Sequence, residues 1–379
     1  MINSKSLKKD VLYSSVDELQ NLKSDWIFLS GESVNTNPFL DWSWLEKWMM
    51  EYAFKDTVYV RHLQDKDNRQ VIIPFHYKEG TLSFFGDKYF ADYASILVSN
   101  GADELLCYSI EKIVNELKPN RLLLEPIPSS DIYFDKIISG IKKSGYCVTL
   151  EYICDNPYVE FPNGYDEYLK TRSKRFRQEL RTTENRLKRM GEWNFSFAKS
   201  DEEAKEMMDK LIYFHLGRQS EKQGYSIFSC KKNRDFFYDL THFSTSHGKI
   251  SMSAIRLDGV IISGAITITT STTMYYWIPS FDIDIKIGSL GKVHIRELIR
   301  SCCDSGIERF DFMGGDESYK YQWATGSYHI SRIVAYRYTV QCQIRKNYQL
   351  LLNRIRHLKK NSKVLTKIWK YISKVKISS

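Results

Sequence analysis

No CxxC pair and no cysteine–histidine spacing of ligand type occurs among the seven cysteines, Cys107, Cys147, Cys154, Cys230, Cys302, Cys303 and Cys342. That scatter excludes a recognisable zinc site and a disulfide framework, and it fits a reducing compartment. Long apolar runs are missing as well. The polar, lysine-containing first ten residues are followed by no apolar h-region, and no run reaches the roughly 18 apolar residues of a membrane span. A cytoplasmic protein is expected. GxxxxGK[ST] and GxGxxG are both absent, so neither a P-loop nor a dinucleotide-binding fold is supported.

What the chain does have is core material: 379 residues, 42% hydrophobic and 14% aromatic, enough for two cores of ordinary size. The net charge of +9 is unevenly placed. From Gln341 onward there are eleven basic residues and no acidic one, and removing those eleven from +9 leaves −2 for the rest. The basicity therefore belongs to a tail. In it Val364, Leu365, Ile368, Trp369, Ile372 and Val375 recur at helical spacing, which predicts an amphipathic helix over 345–379 that contacts an anionic membrane or another polyanion. A second basic cluster, 170–189, carries nine basic residues against Glu179 and Glu184 and reads as one long helix, either a solvated face or an anion-binding one.

Helical periodicity covers 16–29 and 42–53, the latter after Asn37-Pro38-Phe39. Short β-rich runs at 58–63, 70–77 and 81–85 form an antiparallel meander, followed by a helix at 103–117 and a strand at 121–125. The second half replays that order, with strands at 249–257, 260–269 and 273–278, a turn at Asp258-Gly259, a helix at 292–304 and a strand at 308–313. Arg121-Leu122-Leu123-Leu124-Glu125 and Arg309-Phe310-Asp311-Phe312 occupy equivalent places in this weak repeat. Asn156-Pro157 and Pro162-Asn163-Gly164 punctuate the join. The expected plan is α/β with mixed, mainly antiparallel sheets flanked by helices, divided as 1–160, 161–340 and a tail at 341–379.

Chemistry concentrates in two segments. Gly288-Ser289-Leu290-Gly291-Lys292 follows a strand and opens a helix, where glycines let a ligand approach the backbone and free N–H groups can hold a phosphate. An ordinary strand-to-helix turn explains the same spacing. Phe310-Asp311-Phe312-Met313-Gly314-Gly315-Asp316-Glu317-Ser318-Tyr319-Lys320 is a strand running into a glycine pair and an acid-rich turn. Alternation puts Phe310 and Phe312 on one face and Asp311 on the other. Among Asp311, Asp316 and Glu317 stands a candidate base for an amine, with Tyr319 as proton donor and Lys320 to orient an anion. Taken singly, each of these residues is as well explained by a solvated turn. Asp92-Tyr93, after the first meander, and His215 with Arg218, one helical turn apart, are candidate substrate contacts. No metal site is expected.

These segments, together with Asn37-Pro38-Phe39, Trp44 and an arginine-rich stretch at 168–191, resemble the GNAT-related acetyltransferases of the cellulose-biosynthesis type, relatives of the FemAB-like peptidoglycan aminoacyltransferases, over about 35–335. The resemblance implies tandem GNAT-like domains and an acetyl-CoA or other acyl-CoA donor whose pyrophosphate sits at 288–292. It also implies direct transfer to an amine, with no metal and no covalent enzyme intermediate. The loop lacks the fuller Q/RxxGxG/A signature of ordinary acetyltransferases. The expected function is N-acylation of a sugar or glycan precursor in surface polysaccharide biosynthesis, by a cytoplasmic enzyme, peripheral at the inner face of the membrane if the tail binds lipid. The alternatives are aminoacyl transfer from charged tRNA, which would make tRNA the partner, and a non-catalytic scaffold for glycan enzymes.

Overall fold

The computed structural model describes residues 6–32, 37–52, 57–86, 90–221, 226–241, 249–315, 317–338 and 347. The chain opens with β1 (Leu7–Tyr13), α1 (Val16–Leu19), α2 (Lys23–Glu32) and α3 (Trp42–Tyr52). The first meander is β2 (Val58–Asp65), β3 (Gln70–Lys78) and β4 (Thr81–Phe84), with the two-residue β5 (Leu97–Val98) set on β3. Then come α4 (Asp103–Leu117), β6 (Arg121–Pro128), α5 (Phe134–Lys143) and β7 (Tyr146–Glu160). The second half runs α6 (Gly164–Lys170), α7 (Lys174–Met190), β8 (Trp193–Phe197), α8 (Asp201–Glu221) and α9 (Lys231–Thr241). It continues through β9 (Lys249–Leu257), β10 (Val260–Thr269), β11 (Thr273–Phe281), α10 (Leu290–Asp304), β12 (Arg309–Asp311), α11 (Ser318–Trp323) and β13 (Gly326–Arg337).

The described strands form one mixed sheet, in the order β1-β2-β3-β4-β6-β13-β7-β12-β11-β10-β9-β8. The repeat seen in the sequence is visible in its register. Each meander ends on a strand that pairs in parallel with the strand after the next helix: Thr81 faces Arg121 across β4 and β6, and Thr273 faces Arg309 across β11 and β12. The two arginines are thus equivalent in space.

Local chemistry accounts for the helices that flank the sheet. In α4, Leu105, Leu106, Ile110, Ile113 and Val114 make a buried stripe, Asp103 and Glu104 complement the positive end of the helix, and Lys118 closes it in the left-handed region. One core packs α4 and α5 on the first half of the sheet. A second packs α6, α7 and α10 on β10 to β12, and a third joins α2 and α3 to α8 and α9.

Three expectations need correction. The basic stretch is two helices, because Ser173 is extended and its hydroxyl caps α7 at the Phe176 amide, 3.2 Å away. Asn156 and Pro157 punctuate nothing; they lie inside β7, with Asn156 buried. The strand expected at 308–313 ends at Asp311, since Met313 turns to a φ of 56°. The long partners β7 and β13 had no counterpart in the sequence reading. The tail at 345–379 lies outside the described residues, save Asn347.

His294 of α10 is 1% exposed and sits between two strands, its Nε2 2.9 Å from the Ser253 hydroxyl and its Nδ1 2.7 Å from that of Ser263. Burial without a counter-charge depresses its pKa to about 3. The unfolded chain therefore takes up this proton first, so its contribution to stability is intact above about pH 6.5 and falls as the pH drops toward 3. Denaturant titrations across that range should show the parent losing up to about 1.4 kcal/mol per pH unit relative to His294→Gln. Parallel curves would show that His294 is not buried neutral.

Candidate functional site

β11 and β12 stay paired for only three residues, from Thr273/Arg309 to Tyr275/Asp311, and then part. Side chains alternate along both strands, so the seam has two different faces. Tyr275 and Asp311 line a large cavity of about 890 Å³ on one side, whereas Tyr276 and Phe312 line a smaller one of about 330 Å³ at the point of divergence. The neighbouring pair Asp92 and Tyr93, from the first half, is divided in the same way: Asp92 faces the smaller cavity and Tyr93 the larger.

The smaller cavity gathers residues that are remote in sequence: Asp92, His215, Arg218, Glu317, Tyr319 and Lys320. Asp92 is partly exposed there and accepts a hydrogen bond from the Gly314 amide. Desolvation raises its pKa to about 6, with Lys320 pulling down and Asp311 adding to the rise. Lys320 is only 4% exposed and spends its donors locally, on the Gly314 carbonyl at 2.7 Å, the Gly315 carbonyl at 3.3 Å and the Glu317 carboxylate at 2.9 Å. It pins the glycine turn whose amide serves Asp92. A side chain at Gly314 would meet Asp92 Oδ1 at 3.0 Å, which is why glycine stands there.

Tyr319 is held protonated by burial, reinforced by Glu317. His215 is a neutral imidazole, its pKa lowered to about 4 by burial and by Arg218, with Nδ1 2.8 Å from the Ser226 hydroxyl. The Arg218 guanidinium lies over the Phe281 ring, 4.6 Å from its centroid.

Asp311 belongs to the larger cavity. It is 2% exposed, and its carboxyl group meets the Tyr93 hydroxyl at 2.8 Å, the Tyr328 hydroxyl at 2.7 Å and the Met313 amide at 2.7 Å. The two hydroxyls are also 2.7 Å from each other, and the Asn156 amide is 3.0 Å from Tyr93. Burial raises the carboxyl pKa, against the pull of Tyr328, Met313 and Tyr93, and also raises both phenols. At the rim, Arg309 is paired with Glu160 and stacked 4.3 Å from the Tyr158 ring centroid.

The glycine loop is a third locus. Gly288 (φ 68°) and Ser289 (φ 58°) are both left-handed, and no side chain caps the start of α10. The Lys292 ammonium is engaged by Glu179 at 2.7 Å, and the Ser289 hydroxyl bonds the same carboxylate. Thr183 and Arg186 of α7 reach the Gly288 and Ile287 carbonyls. Phe281 links this loop to the smaller cavity: Arg218 lies over its ring, and a side chain at Gly291 would meet it at 3.6 Å. Asp316 lies outside the described residues, and among those described no group of acidic, cysteine or histidine side chains could hold a metal ion.

Sequence reasoning missed Tyr328, Asn156, Tyr276 and Glu179. Nothing local marks Tyr328 or Asn156, since strand pairing alone brings them to Asp311.

Residues 174–321 match the family model described as an acetyltransferase (GNAT) domain. A search of curated proteins returns no match. Among solved structures, a conserved protein of unknown function from Bacteroides thetaiotaomicron superposes with a TM-score of 0.56 and 12% identity, covering 86% of this chain and all of that one. FemX superposes with a TM-score of 0.58 and 11% identity over 90% of this chain and 99% of its own. At such identities the likeness concerns fold. Residues 174–321 therefore carry a GNAT-type domain, and the fold of the whole described chain is shared with FemX.

Tyr328→Phe should destabilise the fold by about 1–3 kcal/mol in urea denaturation, by removing one donor from a buried carboxyl group. A cost below about 0.5 kcal/mol would mean that the hydroxyl does not support Asp311.

Proposed function

We propose that the protein transfers an acyl group from acyl-CoA to an amine, at the point where β11 and β12 part. The observation that carries this reading is Asp92, a carboxylate with a pKa of about 6, set on a glycine amide and facing a cavity in the GNAT domain. At neutral pH it is mostly ionised and close to the pKa that suits a general base.

The start of α10 suits a pyrophosphate through its backbone amides, because no side chain caps it. Lys292, tied to Glu179, contributes little charge. Leu290, Gly291 and their neighbours would hold the donor, and acyl-CoA would supply a thioester to the cavity. Asp92 takes the proton of the attacking amine. The bond to sulfur breaks as the amide bond forms, and Tyr319, kept protonated by burial, returns a proton to the leaving sulfur. Lys320 fixes the turn that aims the Gly314 amide at Asp92.

The acceptor amine meets Asp92 in the smaller cavity, whose walls also carry His215, Arg218 and Glu317. The family resemblance supports an amine on a sugar or glycan precursor of a surface polysaccharide. One observation favours a second reading: with Lys292 neutralised, the loop holds no unpaired lysine for a pyrophosphate, as an aminoacyl-tRNA donor would not require.

Release of free thiol from acetyl-CoA or a longer acyl-CoA, in the presence of amino sugars, tests the reading. Turnover of charged tRNA alone selects the second reading, and binding of neither donor leaves a scaffold. For the active enzyme, kcat/KM should fall on the acid side with an apparent pKa near 6. Asp92→Asn should lower kcat by about 10² to 10⁴ while melting within a few degrees of the parent. Near-parent turnover of that variant moves the base elsewhere, with Asp311 and Glu317 next to be replaced. Gly291→Val should raise KM for the donor at least about ten-fold with little change in kcat, because it fills space at the α10 start.

A further inference from the structure

We infer that the outer face of α7 is a docking surface for an anionic lipid bilayer. The inner face of this helix is apolar, with Phe176, Leu180, Thr183 and Leu187 buried. Its two acids are drawn mainly toward α10, although Glu184 also pairs with Lys188 at 2.9 Å. Glu179 is drawn toward Lys292 and Glu184 toward Arg296, both on α10, at 2.7 Å in each case. What remains outside is of one sign. Lys174, Arg177 and Arg181 are exposed, and their side chains make no hydrogen bond or ion pair among the described residues.

Positions 174, 177 and 181 fall on one side of a helix with 3.6 residues per turn, so these side chains form a row about 10 Å long, which Lys188, paired with Glu184 at 2.9 Å, extends. Arg175 and Arg189 flank it, also exposed. A solvated helix face ordinarily mixes both signs, and here the two acids lean toward α10, Glu184 also pairing with Lys188, so that basic residues outnumber them on the outside.

The shape of the surface selects the partner. The face is the convex side of a single helix, and the aromatic residue of this helix, Phe176, is buried beneath it. It offers no exposed ring for a base to stack on, and single-stranded nucleic acid is held by such rings inside a groove. A convex basic row fits a flat anionic plane, and Met190, about half exposed at its end, adds an apolar contact. Docked in this way, the start of α10, which α7 holds through Glu179, Thr183 and Arg186, lies about one helix diameter, 10–12 Å, from the headgroups.

The experiment is sedimentation of the full chain with vesicles of phosphatidylcholine alone and with 30% phosphatidylglycerol, comparing the parent with Lys174→Gln/Arg177→Gln/Arg181→Gln. We expect binding to the anionic vesicles alone, weakened on the order of 100-fold in the triple variant, at about five-fold per basic residue, and weakened again by 0.5 M salt. The same melting temperature in both proteins shows that the fold is kept. Anionic-vesicle binding that is equal in parent and variant overturns the inference, as does an absence of binding by the parent. A variant that loses affinity for duplex RNA but not for vesicles overturns it in favour of nucleic acid.

Discussion

Asp311 is a carboxyl group almost wholly withdrawn from water, and the donors around it come from every part of the chain: Tyr93 from the first half, Met313 from its own strand end, Tyr328 from the last strand. A buried carboxyl without partners would cost several kcal/mol, so these segments are held to one another by a penalty for separation rather than by simple attraction. The consequence reaches the cavities. Fixing Tyr93 fixes Asp92 beside it, and fixing Met313 in its left-handed turn sends the chain away from β11 toward the glycine pair. The parting of the strands follows from the bond that ends β12.

Much of this architecture was legible. The periodicity of 103–117 and the β-rich runs 249–257 and 260–269, parted by the Asp258-Gly259 turn, marked their elements to the residue. The equivalence of Arg121 and Arg309 was likewise readable, and the parallel registers bear it out. The failures have physical causes. β7 and β13 pair with each other through residues such as Cys154, Asn156, Tyr328 and Ile330, which show no regular alternation, so their strand character comes from pairing rather than from pattern.

The candidate site was legible in parts and not as a whole. Asp92, His215, Arg218, Glu317, Tyr319 and Lys320 were each notable in the sequence, and they converge on one cavity. Their division of labour was not readable. Asp311 and Asp92 differ in environment, since one faces two phenols and the other a glycine amide and a lysine, and neither environment lies within ten residues in the chain. The glycine loop shows the same limit: its spacing suggested a lysine ready for phosphate, and Glu179, about 110 residues earlier, takes that charge.

The position of β13 carries a consequence for how the molecule is made. That strand pairs with β6 on one side and β7 on the other, filling a slot in the part of the sheet that belongs to the first half. A chain growing on the ribosome exposes β6 and β7 with unsatisfied edges long before residues 326–337 emerge. Until then the first half is a clasp held open. Completion therefore waits until residues 326–337 have been made, and the nascent protein has an interval in which any other extended segment, including one from a neighbouring copy, could take the vacant slot.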